Sequence, residues 1–309
     1  MSYAFVFPGQ GSQTLGMLKE LAEAYPLVLK TFTQASQVLK EDLWAITQHN
    51  EAKLNQTLYT QPIMLTADVA VFRLWQELNG SMPKVMAGHS LGEYAALVCA
   101  DALAFEDAVS LVSKRAQYMQ EACKPGEGGM AAIVGLEENT IEQLCKEASV
   151  FGMISPANYN SIGQIVVAGQ TKAVETVVQL AKEKGAKIAK IIPVSVPAHC
   201  HLMTSAAERL ANELTSVEIK KPKIPVIHNV DAASHENPQE IKTLLVQQMT
   251  SCVQWVKTVQ AFENYSIRAI VECGPGKVLT GLSKRIDKEL IVYVAATPDM
   301  LKTAWEELK

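Results

Sequence analysis

The chain has 309 residues, of which 48% are hydrophobic and 19% charged, so it can bury a core without disulfides or structural metals. Its formal net charge of −4 and its pI near 5.9 exclude a generic nucleic-acid binder, because such proteins depend on many phosphate contacts. The six cysteines form no Cys-x-x-Cys pair, which excludes a zinc ribbon and a dithiol redox site.

The amino terminus reads MSYAFVFPG and lacks the basic start and the long apolar region of a secretory signal. No apolar run in the sequence is long enough to span a bilayer. We therefore expect a cytoplasmic protein that binds neither membrane nor nucleic acid.

The first part of the chain alternates short apolar strands with longer helical segments. Residues 4–7 predict a buried strand that ends at a Pro-Gly turn, and helical periodicity covers residues 17–54. A second helix is predicted over residues 61–78, and a strand over residues 83–88 runs into another Gly-bounded turn. Alternation of this kind predicts a parallel sheet that is covered on both faces.

The middle of the chain follows a different pattern. It predicts a strand, a helix, two strands, a helix and a strand, over residues 130–134, 139–148, 153–157, 164–168, 171–184 and 186–192. This βαββαβ order is the ferredoxin-like arrangement. We therefore predict an α/β fold in which a small ferredoxin-like domain, residues 125–195, is inserted into a large α/β-hydrolase-like domain with a parallel sheet, residues 1–124 and 196–309.

The last part of the chain returns to the first pattern. Apolar runs predict strands over residues 224–230, 267–272 and 291–294, with helical segments between them. These strands extend the parallel sheet of the large domain, so that domain is discontinuous in sequence.

A nucleophile motif lies at residues 88–92, which read GHSLG and fit the spacing G-x-S-x-G between a strand and a helix. The small residues allow a sharp turn with Ser90 at its apex. Free amides and the helix dipole at a helix start favour negative charge there, so the Leu91 amide is a candidate oxyanion donor. Gln10, in the GQG turn after the first strand, could supply a second amide or could belong to a plain turn.

A serine hydroxyl needs a base to accept its proton, and histidine is the usual choice. The preferred candidate is His199, in a segment punctuated by Pro193 and Pro197, and His201 is the alternative. On residue type alone, either could be a structural histidine. Three other histidines are expected on the surface or turned away from the serine: His49, His235 and His89.

Four motifs in this order resemble the malonyl-CoA:acyl carrier protein transacylases of bacterial type II fatty-acid synthesis. They are FVFPGQGSQ at residues 5–13, GHSLGEY at 88–94, PVSVPAH at 193–199 and GPGKVL at 274–279. The resemblance covers essentially the whole chain. It implies that Ser90 is the nucleophile and His199 the base.

The same resemblance implies the remaining site residues. The oxyanion amides are those of Gln10 and Leu91, Arg115 binds a substrate carboxylate, and the backbone carbonyl of Gln248 orients the histidine, so no acidic third member is expected. A buried carboxylate needs a partner, and the guanidinium fork can pair with it bidentately. The chain departs from the family at Ala198, where a serine is expected, and at residues 251–252, where Asn-Pro is expected.

The activity that the resemblance implies is ping-pong transfer of a malonyl group from malonyl-CoA to the phosphopantetheine thiol of acyl carrier protein, through a malonyl-serine intermediate. It implies no cofactor and no metal, and a monomer. Because carrier proteins of this pathway are acidic, docking is expected on basic residues near the carboxyl end; a solvated surface without a partner is the alternative. These residues are Lys257, Lys277, Lys284, Arg285 and Lys288.

Two other functions compete with this hypothesis. A serine esterase or thioesterase of the α/β-hydrolase type would need an acid behind the histidine, and Asp231 is the nearest candidate. The order Ser90, His199, Asp231 differs from the Ser, Asp, His order of that fold and disfavours it. A catalytically silent docking module is disfavoured because Ser90, His199 and Arg115 are all present.

Overall fold

The computed structural model of the chain describes residues 1–194 and 196–309. Its strands belong to two separate sheets. The larger sheet contains β1 (Tyr3–Phe7), β2 (Val85–Gly88), β7 (Val226–Ile227), β8 (Ala269–Glu272) and β9 (Ile291–Val294), and the smaller one contains β3 (Gly128–Val134), β4 (Ile154–Ser161), β5 (Gln164–Gln170) and β6 (Ile188–Ile192).

Helices connect most of these strands and cover the sheets. They are α1 (Lys19–Ala24), α2 (Pro26–Leu39), α3 (Leu43–His49), α4 (Glu51–Leu54), α5 (Thr57–Glu77), α6 (Gly92–Cys99), α7 (Phe105–Ala122), α8 (Glu138–Ala148), α9 (Thr171–Glu183), α10 (Thr204–Ser216), α11 (Pro238–Gln248), α12 (Trp255–Ala261), α13 (Val278–Ile286) and α14 (Pro298–Leu308). Short 3₁₀ turns follow α8, precede α10 and follow α12.

The larger sheet is parallel, with the strand order β7-β2-β1-β8-β9 over the described residues. Every residue of β1 is buried, as expected for a central strand with both faces covered. Phe7 at the end of β1 lies opposite Gly88 at the end of β2. The turns that follow these two strands therefore meet at one edge of the sheet, which is where ligands bind in open α/β sheets.

The smaller sheet is antiparallel, with the order β4-β5-β3-β6. Helices α8 and α9 cover one face, where Ile133, Leu144 and Val177 belong to one buried cluster. The other face carries Met130 and Val166 towards the segment that contains His199. This βαββαβ unit beside a parallel α/β sheet confirms the predicted fold class.

The predicted helical segment over residues 17–54 is wrong as a single unit, because the structure divides it into α1 to α4. Pro26 starts α2, where its missing N–H costs nothing. Lys40 ends that helix in the left-handed conformation at φ 54°, and Asn50 caps α4 through its side chain. Hydrophobic periodicity continues through these breaks, so periodicity alone does not reveal where one helix ends and the next begins.

The strand predicted over residues 224–230 is reduced to the two residues of β7. Beyond it, the chain turns at Ala232, whose φ of 57° is left-handed. His228 and Asn229 therefore lie in a loop at the sheet edge rather than in a strand. No helix within residues 1–194 and 196–309 combines the length and the apolar character needed to cross a membrane.

Candidate active site

The GHSLG segment forms a tight turn between β2 and α6, with Ser90 at φ 53°. This left-handed conformation costs free energy for a residue with a Cβ and is typical of a nucleophile held by its surroundings. A Cβ on Gly88 would lie 1.9 Å from the Gly92 backbone, and one on Gly92 would lie 2.0 Å from the Phe7 carbonyl oxygen. Both positions therefore require glycine.

Ser90 and His199 form a hydrogen-bonded pair. The Ser90 Oγ lies 2.7 Å from His199 Nε2, and His199 Nδ1 lies 2.8 Å from the Gln248 carbonyl oxygen. A carbonyl only accepts hydrogen bonds, so Nδ1 carries the proton and Nε2 is free to accept one from the serine hydroxyl. The arrangement can deprotonate Ser90 without an acidic third residue.

The electrostatic surroundings keep His199 neutral. Burial lowers its pKa most strongly, the positive charge of Arg115 lowers it further, and together they bring it to about 3. A neutral imidazole is the form that can act as a general base.

Gln10 and Leu91 line the same cavity as Ser90. Within the described parts of the chain, neither amide donates a hydrogen bond to another protein group. The turn after β1 lies directly against the turn after β2, since a Cβ on Gly9 would lie 2.5 Å from the His89 carbonyl oxygen. Two free amides beside a nucleophile can stabilise a developing oxyanion.

Arg115 lies on α7 and is 1% exposed. Its Nη1 donates to Gln61 Oε1 at 2.6 Å, and its Nη2 donates to Gln248 Oε1 at 3.0 Å and lies 3.3 Å from Ser90 Oγ. Its Nε has no partner among the described residues, and no carboxylate there lies within 4.0 Å of the guanidinium. Burial lowers the pKa of Arg115, because a buried charge without a counter-ion is costly.

One cavity of about 660 Å³ between the two sheets is lined by Gln10, Ser90, Leu91, Arg115 and His199. Its apolar wall includes Met130 and Val166 of the smaller sheet and Leu279 and Leu282 of α13. Across the residues that the structure describes, no group of three His, Cys, Asp or Glu side chains could hold a metal ion.

Asn229 was not foreseen in the sequence. Its Oδ1 accepts from the Ser90 amide at 2.6 Å, and its Nδ2 donates to the Gly88 carbonyl at 2.6 Å. The available signal was a polar residue near the carboxyl end of the apolar run at residues 224–230, because the carboxyl ends of parallel strands meet the Ser90 turn at the same sheet edge.

The other candidates lie apart from the serine hydroxyl. His201 is exposed at the start of a 3₁₀ turn. His89 lines the cavity, but its Nε2 pairs with Asn160 Oδ1 at 2.8 Å. Asp231 pairs with His235, at 2.7 Å between Oδ2 and Nε2, and so does not support His199 as a hydrolase acid would.

Comparison with known proteins extends these observations. The family model of the acyl transferase domain matches residues 4–296. The malonyl CoA-acyl carrier protein transacylase of Escherichia coli is 49% identical over 305 residues, which cover 98% of this chain and 99% of the relative. The corresponding protein of Bacillus subtilis is 41% identical over 308 residues, covering 99% and 97%.

Solved structures agree with the sequence matches. The malonyl CoA-acyl carrier protein transacylase of Coxiella burnetii has a TM-score of 0.98 and 53% identity, covering 100% of this chain and 98% of its own. A malonyl-transacylase in complex with a holo type II PKS acyl-carrier protein has a TM-score of 0.98 and 46% identity, covering 99% and 100%. The chain therefore belongs to the acyl transferase domain family and, within it, to the malonyl CoA-acyl carrier protein transacylases.

Proposed function

We propose that the chain transfers a malonyl group from malonyl-CoA to the phosphopantetheine thiol of acyl carrier protein, through a malonyl ester of Ser90. The observation that carries the proposal is the buried guanidinium of Arg115, which lies 3.3 Å from Ser90 Oγ and whose hydrogen-bond partners in the described residues are all neutral. A malonyl thioester brings the carboxylate that this cation lacks. The names of the relatives agree with this substrate.

In the first half-reaction, His199 Nε2 accepts the Ser90 proton while Oγ attacks the thioester carbonyl carbon. The amides of Gln10 and Leu91 stabilise the oxyanion. The intermediate collapses to the malonyl ester, and the coenzyme A sulfur leaves with the proton from His199. The Gln248 carbonyl accepts the Nδ1 hydrogen bond throughout and stabilises the transient imidazolium.

In the second half-reaction, the carrier thiol gives its proton to His199 and attacks the ester carbonyl. Ser90 leaves and regains that proton, so atoms and protons balance without a metal or a cofactor. We further propose that the product supplies fatty-acid synthesis and that the protein acts in the cytoplasm.

Intact-protein mass spectrometry tests this function. Mixing with malonyl-CoA should give a stable adduct, which peptide mapping after digestion should locate at Ser90, whereas parallel mixtures with acetyl-CoA and methylmalonyl-CoA should give less. Initial rates should give parallel double-reciprocal lines, because coenzyme A leaves before the carrier binds. Intersecting lines, or a lack of adduct with malonyl-CoA, would contradict the proposal.

The pH dependence of acylation should reflect the lowered pKa of His199. The base works in its neutral form, so kcat/KM for acylation should stay level as the pH falls through 6.5 and drop only towards the lowered pKa, about 3. Arg115→Ala removes one cause of the lowering, so the inflection, measured with acetyl-CoA, should move up towards 6.5. A wild-type inflection at 6.5 would show that the base is not this buried histidine.

The carrier protein is proposed to dock beside α13. Leu279 and Leu282 of this helix line the cavity, while Lys284 and Arg285 on the same helix are exposed. A phosphopantetheine arm must enter from a nearby surface, so a basic surface at this place suits an acidic carrier. In the described residues, none of the five basic side chains named for docking forms an ion pair.

Charge reversal tests the docking site. Lys284 donates to the Leu290 carbonyl and Arg285 to Gln164, so Lys277 and Lys288, which are exposed, are the cleaner pair to reverse. Changing both to Glu should raise the KM for carrier protein about tenfold or more at low salt, since steering is electrostatic, and leave acylation by malonyl-CoA unchanged. Lys146→Glu with Lys182→Glu, on the helices behind the smaller sheet, is the matched control. Equal KM values for both pairs would place docking elsewhere.

We also propose that residues 125–195 form a small inserted domain and that residues 1–124 and 196–309 form the large one. The support is that α8 and α9 share a buried cluster with the smaller sheet, while the larger sheet has its own. The cavity lies between them, so each contributes part of its wall.

A further inference from the structure

We propose that Glu93 is a positioning residue that holds the nucleophile, the base and the carboxylate-binding arginine in their mutual geometry. This inference rests on the proposed function. Glu93 is the second residue of α6, three positions after Ser90, and it is fully buried. Among the described residues, the Glu93 carboxylate makes no hydrogen bond to Ser90, His199 or Arg115, so it acts through the residues that it does bind.

Both carboxylate oxygens of Glu93 accept hydrogen bonds from the protein. Oε1 lies 2.7 Å from His228 Nδ1, while Oε2 accepts from the Asn229 amide and from Gln248 Nε2, each at 2.9 Å. Three N–H donors converging on one group suit a carboxylate, which only accepts. His228, Asn229 and Gln248 are also fully buried, so water cannot replace this acceptor.

The first branch of the network leads to the nucleophile. Glu93 fixes the backbone of Asn229, whose side chain then bonds both the Ser90 amide and the Gly88 carbonyl. These two bonds fix the backbone on either side of His89, directly before Ser90, which holds a left-handed conformation. A strained residue persists only where its surroundings over-determine it.

The second branch leads to Arg115 and His199 through Gln248. Gln248 Nε2 donates to Glu93 Oε2 and to the Ser90 carbonyl at 3.0 Å, which leaves Oε1 to face the Arg115 guanidinium. The Gln248 backbone carbonyl holds His199. One residue thus orients the arginine with its side chain and the base with its main chain, and Glu93 helps fix it in that orientation.

The separation of Glu93 from Arg115 has a consequence for substrate binding. A direct ion pair would satisfy the guanidinium and compete with the substrate carboxylate. Instead, the side-chain amide of Gln248 lies between the two charges. Glu93 therefore offsets the buried positive charge without occupying the donors of the Arg115 guanidinium. The site therefore retains a cation that still needs an anionic partner.

Paired variants test the role of these hydrogen bonds. Glu93→Ala removes both branches, and we expect acylation by malonyl-CoA to fall on the order of 10²-fold, as for a small misplacement of reacting groups. The preference for malonyl-CoA over acetyl-CoA should fall as well. Glu93→Gln should restore most of the rate, because its oxygen can accept from Asn229 and Gln248. The amide nitrogen of the new glutamine can donate to His228 Nδ1 once the histidine proton moves to Nε2, which has no partner among the described residues.

Glu272→Gln is the matched control for losing a buried carboxylate. Glu272 is fully buried and accepts from the amides of Leu279 and Thr280, outside this network. It should lower the unfolding temperature but leave the ratio of malonyl to acetyl acylation unchanged. If Glu93→Ala behaved in the same way, Glu93 would be only structural and the inference would fail. Equal losses in Glu93→Ala and Glu93→Gln would likewise overturn the hydrogen-bonding role.

A double-mutant cycle tests the branch through Gln248. Gln248→Met removes the side-chain amide but keeps the backbone carbonyl that holds His199. Because Glu93 acts on Arg115 through that amide, the losses in substrate preference from Glu93→Ala and Gln248→Met should not add. Additive losses would contradict the relay. Wild-type acylation in the same assay separates the two proposals, since its absence would refute the proposed function itself.

Discussion

Ser90→Ala should abolish acyl transfer, with kcat lowered on the order of 10⁶-fold, as when the nucleophile of a serine hydrolase is removed. The substitution deletes only the hydroxyl that pairs with His199. Alanine keeps the Cβ and the amide that Asn229 accepts from, so the turn and the thermal unfolding temperature should be preserved. Transfer rates and the acyl adduct, measured with the unfolding temperature, check this expectation.

Asp231→Asn is the control that separates transferase from hydrolase chemistry. Asp231 pairs with His235 at the surface rather than with His199. Most of the transfer activity should therefore remain in this variant. A large loss in a folded Asp231→Asn protein would favour the serine hydrolase alternative, and so would rapid release of free malonate by the wild type.

The sequence predicted the parts of the fold that depend on local pattern. Buried strands such as residues 4–7 are continuous apolar runs, and the β-α-β-β-α-β order of the middle segment is readable from periodicity alone. The breaks within residues 17–54 were not readable in this way. They depend on single residues, such as Pro26 and Lys40, within a pattern that stays helical on both sides.

Candidate site residues could be predicted where a sequence motif marks them. They could not be predicted where they are brought together only by contacts in the folded chain. Ser90 and His199 are 109 positions apart, and their motifs mark both. In the sequence, Glu93 looks like an ordinary acid in the first turn of a helix, where the helix dipole favours negative charge. Its partner Gln248 is 155 positions away, so nothing local indicates that the carboxylate is fully buried beside the Ser90 turn.

Arg115→Ala should lower malonyl transfer by roughly 10⁴-fold while acetyl transfer holds or rises, because sites built around a polar pair discriminate by this order. With alanine, the malonyl carboxylate enters a buried site without a cation. The neutral acetyl group, in contrast, leaves the wild-type guanidinium buried without a carboxylate partner. Arg115→Ala removes this cost, so acetyl transfer does not fall. Acylation rates with both thioesters, measured by mass spectrometry on the Ser90 peptide, give the ratio.

Arg115→Lys separates charge from geometry at the same position. Lysine keeps the positive charge but lacks the planar fork that pairs with a carboxylate at two points. It should therefore retain malonyl preference only in part, between wild type and Arg115→Ala. If lysine restored the full rate, charge alone would suffice and bidentate pairing would be unnecessary.

The stability of Arg115→Ala distinguishes a binding role from a structural one. Arg115 is held by Gln61 and Gln248 but has no carboxylate within 4.0 Å in the described residues, so its burial is costly in the free protein. Removing it should leave the unfolding temperature nearly unchanged while malonyl transfer collapses. Equal losses for both acyl groups, together with a lower unfolding temperature, would mean that Arg115 chiefly supports the positions of Ser90 and Gln248.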